Sequence, residues 1–85
     1  MTINYQALLN QFNKNYDFLY NAKAYVAGYN EALDYFDNTV RKNTVLSDIL
    51  GKFVEFRSDI LSSDRECVAF VFSLEDLGIL DSLNL

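Results

Sequence analysis

Every seventh residue from Tyr5 to Val40 is apolar or aromatic: Tyr5, Phe12, Leu19, Val26, Leu33 and Val40. A second row three residues further on reads Leu8, Asn15, Ala22, Tyr29 and Phe36, broken only by Asn15. Rows spaced by seven and joined by offsets of three fall on one stripe of an α-helix, so nearly half the chain is written as a helical face seeking a partner surface. The weak point is Asn13-Lys14-Asn15, because an Asn side chain competes for backbone groups. Two readings follow. Residues 4–41 form one continuous helix of about 36 residues, on the order of 54 Å long, or a short helix over about 4–13 turns into a longer one over about 16–41. A lone rod of that length would project from a globule roughly 25–30 Å across, so the broken version is preferred and the unbroken one needs a dimer partner.

Further along, Leu46, Ile49, Leu50, Phe53, Phe56 and Ile60 recur at helical spacing after a cap at Asn43-Thr44. Ser63 and Glu66 fit a Ser-x-x-Glu capping box. The run Cys67-Val-Ala-Phe-Val-Phe72 is nevertheless rich in β-branched and aromatic residues, as is Phe53-Val-Glu-Phe56. A hairpin spanning about 52–72 is therefore the rival to helices there. Ser73-Leu-Glu-Asp76 reads as a second box opening a last short helix through Leu77, Leu80 and Leu83. The chain has no proline and three glycines, which favours helices joined by polar junctions. Gly28 falls off the apolar stripe and carries no evident role. The expected fold is a single all-α domain over 1–85, a small three- or four-helix bundle. The alternative is α+β, with the hairpin and a short C-terminal helix.

Composition narrows the chemistry. Hydrophobic residues are 51% of the chain, and six tyrosines with seven phenylalanines supply large core side chains. There is no histidine, which removes the commonest general base and zinc ligand. Glycine-rich phosphate loops are absent. The single cysteine, Cys67, has apolar neighbours, which raise a thiol's pKa and suit burial rather than attack. The carboxylates Glu31 with Asp34, and Glu75 with Asp76, read as solvated helix faces and cap acids. No enzyme, cofactor or metal is expected. No apolar run approaches the roughly 18–20 residues of a membrane span. The start, Met-Thr-Ile-Asn-Tyr, lacks the basic segment and apolar run of a signal peptide, so a soluble cytoplasmic protein is expected.

Recognition is what remains. A net charge of −5 disfavours direct phosphate-backbone binding and suits a basic protein surface. On a continuous second helix, Tyr20 and Tyr35 project towards the polar side that carries Glu31, Asp34 and Asp37. Tyrosine among acids combines apolar area with a hydroxyl. Tyr20, Glu31, Asp34, Tyr35 and Asp37 are thus the expected partner-binding residues. The short, acidic, helical, aromatic character is similar to that of small accessory proteins of bacteriophages and mobile elements. That resemblance of type implies an inhibitor or adaptor that blocks a larger host protein, such as one of a defence system. One alternative is a structural homo-oligomer joined through the 5–40 stripe. A second is a mimic of nucleic acid, with acids three residues apart imitating phosphates in the groove of a DNA- or RNA-binding enzyme.

Overall fold

A computed structural model describes residues 2–23 and 25–83 of the chain. Asn4 caps the first helix, its side chain accepting a hydrogen bond from the Ala7 N–H at 3.0 Å. Helix α1 then runs Tyr5–Ala22, straight through Asn13-Lys14-Asn15. It does not break there because Asn15 has tertiary partners. Its Nδ2 donates to the Ser73 hydroxyl at 2.9 Å and to the Asp76 carboxylate at 3.0 Å. The side chain that would compete for local backbone is occupied across an interface.

The break comes later, correcting both readings of this stretch. Lys23 adopts a left-handed conformation (φ 55°) and closes α1. Gly28, at φ 83°, starts the next helix. A side chain is strained at that φ, so Gly28 has a definite task in the turn. Helix α2 covers Tyr29–Tyr35 and continues as a π-helical turn over Phe36–Val40. The Arg41 N–H reaches back to the Phe36 carbonyl at 3.1 Å. Asn43 caps helix α3, Thr44–Arg57. Ser63 caps helix α4, Asp64–Asp76, and a short helix α5 follows over Ile79–Ser82. Among the described residues there is no strand. The hairpin over 52–72 is replaced by the end of α3 and most of α4, so the all-α bundle holds. Ser73 does not open a last helix. It lies inside α4, where its hydroxyl donates to the Ala69 carbonyl at 2.7 Å.

Helix α4 is the axis of the bundle. Cys67, Val68, Ala69, Phe70, Val71 and Leu74 are all buried, so the helix is apolar nearly all round, as a central helix must be. Helices α1 and α2 each pack on it, while α3 packs on α1 and on the π-helical turn. Across the middle runs a chain of phenylalanine rings, one from each wall. Phe12 meets Phe53 at 5.2 Å, Phe53 meets Phe70 at 5.1 Å, and Phe70 meets Phe36 edge-on at 6.2 Å. The stripe from Tyr5 to Val40 is spent within this one chain: Leu8, Phe12, Leu19, Phe36 and Val40 are all at most 1% exposed. No described helix is long and apolar enough to cross a membrane.

The polar link between α1 and α4 yields a test. Asn15→Asp would set a second carboxylate against Asp76 and remove the donor between them. The introduced carboxyl would have a folded pKa raised by Asp76 above the ordinary value of about 3.9. The penalty is therefore complete above the folded pKa and absent below the unfolded one. Urea denaturation should show a loss of about 1–3 kcal/mol at pH 7 that shrinks as the pH falls through the raised folded pKa towards about 4. A pH-independent loss would contradict the charge contact.

Candidate acidic surface

Helix α2 is short, and its inner side is fixed by Ala32 and Phe36, both buried. Helical spacing then leaves Glu31, Asp34 and Asp37 pointing outward, and all three are exposed. Their surroundings differ. Asp37 is paired with Arg41 at 3.3 Å, and the Arg41 guanidinium also lies 4.8 Å above the Phe36 ring. The π-helical turn thus ends with its acid already neutralised. Glu31 and Asp34 have no ion pair among the described residues.

The two tyrosines expected beside these acids lie elsewhere. Tyr35 is half-buried against the core. Burial, then the nearby Glu75 carboxylate, pushes its hydroxyl above the ordinary tyrosine range. It sits in the seam between α2 and α4 rather than on the outer face. Tyr20 belongs to α1, and α1 does not pack on α2. Its ring covers the Arg65 guanidinium at 5.1 Å and leans on Tyr16 at 6.3 Å. The angular argument that grouped Tyr20 with Asp34 needed one helix through 16–41, and the turn at 23–28 removes it.

The packing of α2 on α4 brings Tyr35 within the influence of Glu75, an acid that sequence spacing did not associate with α2. Glu75 and Asp76 close α4, and Asp81 follows in α5. Read as the first turn of a new helix, they would favour the dipole. At the actual C-terminal end of α4 they oppose it, because the exposed carbonyls there carry partial negative charge. Burial raises the Glu75 carboxyl above the usual range, and Asp76 and Asp81 raise it further. Asp76 is held by neutral donors only, Gln11 at 3.1 Å and Asn15 at 3.0 Å. A sequence signal for this surface exists: no Lys or Arg occurs between residues 24 and 40, nor after Arg65.

The remaining candidates for chemistry are placed as follows. Cys67 is buried, and burial pushes its thiol above the usual range. No group of three or more metal-ligating side chains converges among the described residues. A groove of about 670 Å³ lies on the outer side of α3. Its Asp48 is tied to Lys52 at 3.2 Å, so it presents mixed charge rather than opposed carboxyls. What the acidic surface offers is attraction to cations over an area too open to enclose a small molecule. No protein-family model, curated protein or solved structure matches this chain.

Proposed function

We propose that this protein is a non-enzymatic protein-binding module whose acidic surface meets a basic surface on a larger partner, acting as an inhibitor or adaptor of the phage or mobile-element accessory kind. The observation that carries the reading is the end of α4. Two acids stand at the negative pole of the central helix, a third lies beside them, and no cation answers them. Asp76 gains hydrogen bonds from Gln11 and Asn15, but the repulsion among the three acids is left unrelieved within the described residues. Local conflicts of that type are characteristic of sites kept for something outside the fold. Arg or Lys side chains of a partner would relieve the repulsion, with Glu31 and Asp34 extending the contact along α2. Two alternatives have less support. The phosphate-mimicking row over Glu31, Asp34 and Asp37 is shortened by the pairing of Asp37 with Arg41. Of the 5–40 stripe that would join an oligomer, Leu8, Phe12, Leu19, Phe36 and Val40 are buried within the chain.

The test is affinity capture from extracts of the source cells with mass spectrometry, using the wild-type chain and Glu31→Lys/Asp34→Lys in parallel. A basic protein should be retained by the wild type and released by rising salt. The variant should retain at least tenfold less of it, while its melting temperature stays within about 4 °C because both sites are exposed. Equal retention by the variant would remove these residues from the contact. Tyr35→Ala is unsuitable for this purpose, since the half-buried ring supports the core.

A further inference from the structure

We propose that a second copy of this chain docks on the flank of α3, pairing the two α3 helices antiparallel about a two-fold axis near Leu50. Helical spacing places Val45, Ile49, Lys52 and Phe56 on one stripe of α3, beside Tyr5. Val45 and Phe56 are each 48% exposed at the two ends of this row, with Ile49 buried between them. Between them runs a trough. One part, about 380 Å³, is lined by Ile3, Tyr5, Val45, Ile49, Lys52 and Leu83. The next part, about 360 Å³, is lined by Tyr5, Lys52, Glu55 and Phe56.

The charges select a copy of the same chain over another occupant. At the centre of the stripe lie Asp48 and Lys52, with side chains 63% and 61% exposed. An isologous antiparallel pairing sets Val45 of each copy against Phe56 of the other, and Asp48 of each against Lys52 of the other. The row is therefore its own complement in shape and in charge. Among the described residues α3 carries a single acid outside an ion pair, Glu55, while α4 carries three, Asp64, Glu75 and Asp76, so two chains of net charge −5 repel less through this flank than through the acidic end of α4. This pairing would also display two acidic surfaces on one particle, which raises avidity for a repetitive basic partner.

The experiment uses the purified chain alone, so its outcome is separate from that of the partner capture. Sedimentation equilibrium at about 200 µM should give a mass well above the single-chain 9.8 kDa. Asp48→Lys alone places four lysines at the contact, and Lys52→Asp alone places four aspartates. Each should sediment as a single chain with an unchanged circular-dichroism spectrum. An equimolar mixture of the two variants should recover the heavier species, because each then supplies the charge the other lacks. A wild-type chain of single-chain mass at that concentration overturns the proposal. So does a mixture no heavier than its separate components.

Discussion

Phe70→Ala is expected to remove most of the stability of the fold. The Phe70 side chain is fully buried on the central helix and touches rings from two other walls. Phe→Ala substitutions in such sites cost about 3–5 kcal/mol through lost transfer energy and the cavity left behind. An 85-residue chain has a total stability of roughly 4–13 kcal/mol at 0.05–0.15 kcal/mol per residue. The variant should thus be partly unfolded without denaturant, or show a urea midpoint reduced by about a quarter or more. Phe18→Ala is the matched control. That ring is 58% exposed, and its loss should change stability by no more than about 0.5 kcal/mol. If the two variants unfolded alike, the ring chain through Phe12, Phe53, Phe70 and Phe36 would not be the centre of the core.

The second large effect belongs to Glu66, the one buried carboxylate of the core's edge. Its Oε2 accepts from Arg57 at 2.8 Å. Its Oε1 accepts from the Ser62 N–H at 3.1 Å and from the hydroxyls of Ser62 and Ser63 at 3.1 and 3.0 Å. The other half of the capping box is the Glu66 N–H donating to the Ser63 hydroxyl at 3.2 Å. Burial pushes this carboxyl up, but the hydrogen bonds from Arg57, Ser62 and Ser63 together outweigh it and hold the pKa below the ordinary range. A depressed folded pKa stabilises the protein above the unfolded carboxylate pKa, and that contribution fades as pH falls through the folded value. Glu66→Gln turns an amide towards Arg57 and leaves that cation without its best partner. A loss of about 1–3 kcal/mol at pH 7 is expected, discounted for the partial exposure of the pair. Urea titrations from pH 7 down to about 3 should show the wild type losing this advantage while the variant stays flatter over the same window. Parallel curves would mean that Glu66 does not stay ionised in the fold.

Much of the architecture is visible in residue order, and the failures have physical causes. The inward rows of α1 and of Leu33 to Val40 follow directly from seven-residue spacing. The position of the break does not. Asn15 advertises a weak helix, but its partners Ser73 and Asp76 are 58 and 61 residues away, and nothing local announces them. Gly28 was the usable sign, being the residue suited to the positive φ found there. The β-rich run at Cys67–Phe72 misleads because a helix buried on every side shows no period. Only the cap at Ser63 pointed to the right answer. Among the acids, Glu31, Asp34 and Asp37 were legible as an outer face. The link to Glu75, Asp76 and Asp81 arises from α2 packing on α4, a tertiary contact that spacing within one element does not encode.

The order of the walls along the polypeptide has a consequence for biosynthesis. Helix α4 begins at Asp64, after α1 and α2, which pack on it, and α3, which packs on α1, have already been made. While those 63 residues leave the ribosome, the greasy sides of α1, α2 and α3 have no mast to close upon. Contacts of α1 with α3 can form early, but the larger interfaces of α1 and α2 with α4 close only once the central helix emerges. Through that interval apolar surface stays uncovered, and the net charge of −5 works against its self-association.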